Sequence, residues 1–213
     1  MARIRGYSSK LYSQEYIKYL NLKTKMNFRN ALDIGASFGY FVKELNKVGI
    51  EASGIESIQS TVKLAVSKKI KWAFFDETYH FDTKYDLICL TQMIYYQRKN
   101  YAILEHVREM LTNNGLIFIA TNNPESPITY ELKDELPLIG TNMILSRKNY
   151  ESLNKVLGLE MIDYSTYRSN VSIDFHSRNK YVAFLKYNLG IRRPLVPDPS
   201  GNHAFVLLKL TKS

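Results

Sequence analysis

The sequence predicts an α/β fold: a doubly wound, mostly parallel sheet with helices on both faces. Three observations lead there. Short apolar runs alternate with amphipathic segments of helical spacing from Ala31 to Leu159, the order that parallel strands joined by right-handed crossovers require. One run, Tyr85-Asp86-Leu87-Ile88-Cys89-Leu90-Thr91, is apolar almost throughout, as a strand covered on both faces must be. At the first strand-to-helix junction, Ala31-Leu32-Asp33-Ile34-Gly35-Ala36-Ser37-Phe38-Gly39-Tyr40-Phe41 places two glycines in a tight turn.

The chain's 213 residues, 45% of them hydrophobic, fit one domain with a full core. Cys89 is the single cysteine, so no internal disulfide framework and no Cys-based zinc site is expected, and no metal is assigned. No apolar run reaches the roughly 18 residues of a membrane span. These features point to a soluble, cytoplasmic protein. The net charge of +9 is uneven: residues 1–30 and 147–213 are each net +6, and residues 31–146 are net −3. Such ends could attract RNA, an anionic membrane or a phosphorylated substrate, but no dense Lys/Arg block occurs and solvated lysines are the favoured reading.

In chain order, Leu11, Tyr12, Tyr16, Tyr19 and Leu20 recur at helical spacing, so a helix is predicted over residues 8–22, as part of a cover over a pocket. The next helix carries Tyr40, Phe41, Val42, Leu45 and Val48 and stops at Gly49. A second strand ends at Glu56, about 20 residues past the glycine turn, where a carboxylate can take both hydroxyls of a ribose. A third strand over residues 71–75 ends at Asp76 and Glu77, with Asp76 in reach of an adenine amino group. Thr91, Gln92 and Met93 follow the fourth strand on the ligand side of the sheet. The helix Tyr101–Leu111, a turn over Thr112–Gly115 and a fifth strand over residues 116–121 continue the alternation. Prolines 124, 127 and 137 then break an insertion, residues 122–145; Ser146 caps a helix closed by Gly158, a sixth strand follows, and a second insertion, residues 169–202, precedes the last strand. Both insertions are predicted to cover substrate.

The glycine turn carries the chemistry. Gly35 lets a ligand approach the main chain and Gly39 lets the helix pack closely on the strand. The helix start offers free N–H groups to an anion. Yet Gly35-x-x-x-Gly39 is not the Gly-x-Gly-x-x-Gly of dinucleotide enzymes, and Asp33 at the strand tip repels phosphate and attracts an ammonium group. A zwitterion suits this turn better than a pyrophosphate.

Asp33-Ile34-Gly35 through Gly39, Glu56, Asp76, Tyr85-Asp86-Leu87-Ile88 and the Asn114-Gly115 turn together resemble the class I S-adenosylmethionine-dependent methyltransferases, over residues 30–165 in order. The resemblance implies a Rossmann-like, seven-stranded sheet with the last strand antiparallel. It implies S-adenosyl-L-methionine as cofactor, its methionine moiety at Asp33, Gly35, Ala36, Ser37, Phe38, Gly39 and Tyr40. The ribose would lie on Glu56 beside Ser57 and the adenine by Asp76 and Glu77, with Thr91, Gln92 and Met93 completing the site. Leu145-Ser146-Arg147-Lys148, Tyr150, Leu153 and Gly158-Leu159-Glu160 are similar to the small-molecule and sugar branch, the ubiquinone-type O-methyltransferases. Two departures stand out: Ser37 replaces the middle glycine of the turn, and Tyr95-Tyr96 replaces the Glu-His pair that follows the fourth strand in that branch.

The expected reaction is in-line methyl transfer to a small molecule or a sugar or glycan, at oxygen, because the donor carbon is already electrophilic and alignment supplies much of the acceleration. Tyr95, Tyr96 and His176 are the candidate bases or orienting groups, and His203, abutting the last strand, is expected to be structural. Two alternatives follow from the same residues. One is an RNA methyltransferase, suggested by the basic ends but lacking an Asn/Asp-Pro-Pro-aromatic motif after the fourth strand. The other is a cofactor-binding protein without catalysis, suggested by the missing Glu-His pair. The acceptor and the oligomeric state are not written in these patterns.

Overall fold

Alternating side chains divide the apolar runs between two faces, and the runs pair as predicted. Strands β1 (Asn30–Ile34), β2 (Glu51–Glu56), β3 (Ile70–Trp72), β4 (Tyr85–Thr91) and β5 (Leu111–Asn122) are parallel; β6 (Leu159–Ser169), β7 (Leu195–Pro197) and β8 (His203–Leu210) complete the sheet. The order is β3-β2-β1-β4-β5-β8-β6-β7, and β8 runs antiparallel to both β5 and β6. The computed structural model describes residues 2–76, 79, 83–131, 143–169 and 194–211. Glu77, His176 and most of the second insertion lie outside the described residues, as do residues 132–142 of the first.

Leu32, Ile34, Ile88 and Leu90 point to one face and pack with Ile103, Leu104 and Val107 of helix α4 (Asn100–Glu109) and with Tyr150, Leu153 and Leu157 of α6 (Arg147–Leu157). Their neighbours Ala31, Leu87 and Cys89 point to the other face, with Tyr16, Tyr19 and Leu20 of α1 (Ala2–Thr24) and Phe41, Val42 and Leu45 of α2 (Tyr40–Lys47). Two short helices, α3 (Gln59–Lys63) and α5 (Pro127–Glu131), and a 3-10 turn at Ile94–Tyr96 complete the described elements. Period-2 alternation in strands covered on both sides is what a doubly wound sheet needs.

Three expectations need correction. Among the described residues the sheet has eight strands rather than seven: Leu195-Val196-Pro197 adds an edge strand antiparallel to β6. It is short and ends in proline, which a sheet tolerates at an edge because it removes a ladder donor. β3 ends at Trp72, three residues before its expected end, so Asp76 falls in a bend beyond the strand and not at its tip. β5 begins at Leu111, where a helix end and a turn were predicted. Leu111 pairs with Tyr85 and Leu116 with Leu87, so Thr112–Gly115 is an excursion inside a strand rather than a connection before it. A Cβ on Gly115 would sit 2.8 Å from the Tyr85 carbonyl oxygen; that close approach explains the glycine.

Helix α1 is longer than the predicted 8–22, and its C-terminal half is fastened to the sheet. The Tyr16 ring meets Phe41, Phe118 and Phe205 edge-on, with centroids 5.2–5.5 Å away. Tyr19 Oη donates to Asp163 Oδ2 at 2.6 Å, and Lys23 Nζ lies 2.6 Å from Asp163 Oδ1. Edge-to-face aromatic pairs contribute about 0.5–1.5 kcal/mol each beyond their buried area, so this half of α1 is held firmly. On the far side, Ser146 and Asn149 form the reciprocal cap of α6, and Gly158 ends it at φ 60°, as predicted.

Candidate active site

The carboxyl ends of β1, β2 and β4 open into a cavity of about 550 Å³, within the roughly 300–1,000 Å³ of small-molecule sites. Its first wall is the turn after β1. Gly35, Ser37 and Gly39 all take left-handed backbone angles, at φ 76°, 50° and 73°. The N–H groups of Gly35 and Ala36 both donate to the Ile55 carbonyl at 2.9 Å, which locks the turn to β2. A Cβ on Gly35 would lie 3.0 Å from Met93 Cβ, a tight approach that adds to the strain of φ 76° and favours glycine. Ser37 bears a Cβ in a region that costs most residues energy. Its N–H donates to Glu56 Oε2 at 2.9 Å, which holds it there.

Two carboxylates sit in this wall with different surroundings. Glu56 also accepts from the Ile58 N–H at 2.9 Å and the Ser57 hydroxyl at 3.3 Å, which aims it across the end of β2. Asp33 is 1% exposed. Thr91 Oγ1 donates to its Oδ1 at 3.3 Å, whereas its Oδ2 is buried with no hydrogen-bond partner. Burial pushes the Asp33 carboxyl up to about 8, the Thr91 bond opposes this, and the Glu56 charge adds to it. A buried carboxyl oxygen left without a donor beside a cavity fits a hydrogen-bond-donating or cationic ligand group.

The second wall is aromatic. Ser9, Tyr12, Ser13 and Tyr16 of α1 line it, with Tyr95, Tyr96 and Gln97 opposite. Gln92 lies between the two sides: Tyr95 Oη donates to its Oε1 at 2.9 Å, and its side chain opposes the rise in the Tyr16 phenol. Gln92 takes φ 57°, with its N–H donating to the Ala120 carbonyl at 2.7 Å. Burial raises the phenols of Tyr16 and Tyr95 well above the ordinary tyrosine range, helped by Tyr12 and Tyr96 respectively. Both therefore stay protonated donors.

Every residue expected around the cofactor lines the cavity except three: Asp33, Gly35, Ala36, Ser37, Phe38, Tyr40, Glu56, Ser57, Thr91, Gln92 and Met93 all do. Gly39 does not line it; a Cβ there would lie 2.9 Å from Ile70 Cγ1, so its role is packing. Asp76 does not, because β3 ends before it, and Glu77 lies outside the described residues. Tyr95 and Tyr96 line the cavity, and the Tyr95 hydroxyl, which burial keeps protonated and which donates to Gln92, suits an orienting group better than a base. His203 stands behind the wall under the Tyr12 ring, centroids 5.7 Å apart, and burial lowers its imidazole to about 4. The α1 residues were not expected as site residues, although Ser9, Tyr12, Ser13 and Tyr16 fall at i, i+3, i+4 and i+7, one face of a helix. Among the described residues no group of three or more His, Cys, Asp or Glu is placed to hold a metal ion.

A sheet that opens onto a ligand cavity at the carboxyl ends of its parallel strands, with a glycine turn and an acid at the tip of β2, defines a nucleoside-binding α/β enzyme. The model of a methyltransferase-domain family matches residues 7–164. The chain belongs to that family and is an S-adenosylmethionine-dependent methyltransferase. No curated protein matches its sequence. Among solved structures it is similar to a protein from Galdieria sulphuraria proposed to be a sarcosine dimethylglycine methyltransferase: 16% identity, 94% of this chain and 85% of that one, TM-score 0.66. A plantazolicin methyltransferase solved with a substrate analogue and S-adenosylhomocysteine shares 17% identity over 97% and 86% of the two chains, TM-score 0.63. The magnesium protoporphyrin IX methyltransferase of Synechocystis PCC 6803, also with bound S-adenosylhomocysteine, shares 10% over 97% and 84%, TM-score 0.63. At these identities the likeness is one of fold.

Proposed function

We propose that this methyltransferase acts on a small, uncharged acceptor at an acidic hydroxyl of the phenolic kind. The observation behind this is the composition of the second wall. Among its described residues are hydroxyls, phenols and amides, and neither an imidazole nor a lysine or arginine. Nearby phenols held protonated cannot remove the proton of an aliphatic sugar hydroxyl, whereas an acidic hydroxyl is partly ionised near neutral pH without a strong base. The described lining offers no cation to a phosphate backbone, which disfavours RNA as the acceptor. That structural neighbours are named for small molecules and a peptide natural product supports the size class.

The first wall fits the cofactor. In this reading Asp33 Oδ2 takes the ammonium of the methionine moiety, the amides at the start of α2 face its carboxylate, and Glu56 takes the ribose hydroxyls. Bound S-adenosylmethionine supplies an electrophilic methyl carbon. The chain's task is alignment: Gln92, held by Tyr95, orients the acceptor's oxygen, and α1 excludes water from the second wall. Transfer of labelled methyl groups to panels of phenols, glycans, amines and RNA tests the reading. Turnover on phenols is expected, while turnover confined to RNA and falling steeply with salt would overturn it.

A further inference from the structure

The edge of the sheet farthest from β7 has an unusual surface. From Ser57 to Phe75 the chain contains four lysines and no acid, and Lys63, Lys68, Lys69 and Lys71 are all exposed. The same stretch exposes large apolar side chains: Leu64 at 65%, Phe74 at 67%, Trp72 at 53%, with Ile58 and Val66. They belong to α3, to the edge strand β3 and to the segments flanking both. Trp72 Nε1 donates to the Ser57 carbonyl at 2.9 Å and its ring stands 6.2 Å from that of Phe74, so the aromatic pair is held outward. Beside Val66 a shallow cavity of about 330 Å³ is lined by Lys43, Asn46, Lys47, Ser67 and Lys69, with no acid among its lining residues. Lys69 Nζ donates to Asn46 Oδ1 at 2.8 Å, and Lys47 pairs with Glu44 at 2.7 Å just outside.

We propose that this edge is a docking surface for an anionic lipid bilayer. Apolar side chains would enter the acyl boundary, the lysines would meet headgroup phosphates and carboxylates, and the Lys43, Lys47, Lys69 cavity would seat one headgroup. Charge and apolar area act together, as two-signal peripheral binding requires. Other occupants fit less well. Ile58, Leu64 and Val66 offer no stacking face to a nucleobase, β3 has three residues and is too short a ladder for an added strand, and a second copy would set lysines against lysines. No described helix is long and apolar enough to cross a membrane, so the contact is peripheral. It adjoins the active site through Ser57 and Ile58, which also line the large cavity.

The chain's single tryptophan lies within this surface, so its fluorescence reads the proposal directly and needs no cofactor or acceptor. Phosphatidylcholine vesicles with phosphatidylserine are expected to shift Trp72 emission to the blue and to sediment the protein; vesicles without it are not. K68E/K69E is expected to weaken partitioning about 25-fold or more, roughly fivefold per lysine at an anionic surface. L64S/F74S should abolish the part that resists salt. The distant pair K148E/K155E, on the exposed face of α6, should change binding less than about twofold. Circular dichroism checks that each variant is folded. No blue shift would overturn the proposal, as would equal losses for the two lysine pairs, which would assign the binding to net charge. Displacement of vesicles by polyuridine with retained Trp72 contact would make the edge a nucleic-acid surface instead.

Discussion

The two walls of the active-site cavity are built by different means. The turn wall is made of backbone: three consecutive alternate residues in left-handed conformation, a pair of N–H groups on one carbonyl, and two carboxylates at strand tips. Its parts come from residues 33–58 and are held by register with β2. The α1 wall is made of side chains, chiefly tyrosines, and is secured by residues far along the chain: Asp163 on Tyr19 and Lys23, and Ser169 on Tyr12 at 2.6 Å. Backbone geometry suits the ligand part that never changes between reactions, and side chains can vary with the acceptor. The two walls should therefore fail differently when altered.

The largest effect is expected in the turn. Gly35→Val puts a branched side chain at φ 76° and against Met93. It should destabilise the protein by about 3 kcal/mol, roughly 6–12 °C in Tm for a chain of this size, and remove cofactor binding. Thermal melts with and without S-adenosylhomocysteine measure both. Unchanged binding would place the ligand elsewhere.

Asp33→Asn separates stability from binding in the same wall. Because the folded carboxyl titrates near 8 and the unfolded one near 3.8, the native state holds its proton longer, and the stability of the ligand-free protein falls as pH rises from about 4 to about 8. The variant should escape that loss and be more stable than the parent by about 1–3 kcal/mol at pH 9, yet not at pH 4. Its affinity for the cofactor should drop at least about tenfold. Melts across pH, paired with calorimetric titration, test both signs.

The α1 wall should respond in turnover instead. Tyr16→Phe keeps the ring packing and deletes a phenol hydroxyl that lines the second wall beside Gln92, so kcat should fall about three- to tenfold while the Kd of S-adenosylhomocysteine moves less than about twofold. A matching loss in both would erase the division between walls. The smallest effect belongs to Ser37→Gly, which relieves a left-handed serine and should stabilise the fold by up to about 1 kcal/mol, offset in part by added chain entropy, with little change in affinity.

What the sequence revealed follows the same division. β2 and β4 span the predicted residues, and the Ser146 and Gly158 caps of α6 are as expected, because local spacing and conformational preference decide them. The turn wall was legible for that reason, in that Gly35 and Glu56 were expected at one cavity and both line it. The α1 wall was only half visible. Tyr12 and Tyr16 stood out as a helical stripe, but their meeting with Gln92 depends on how α1 crosses the sheet, which no local pattern states. Asp76 misled because Ala73-Phe74-Phe75 continues the apolar run of β3 without continuing its pairing: Trp72 is already the last residue on the ladder with Glu56. The prolines around β7 concealed an edge strand that tolerates them.

Calorimetric titration of S-adenosylhomocysteine into the wild type and Glu56→Ala puts the cofactor assignment to its most direct test. One site per chain is expected in the wild type, with affinity weakened at least about thirtyfold in the variant, if the carboxylate that accepts from Ser37 and Ile58 takes the ribose as proposed. Equal affinity in the two proteins would contradict the placement of the nucleoside between the glycine turn and the tip of β2.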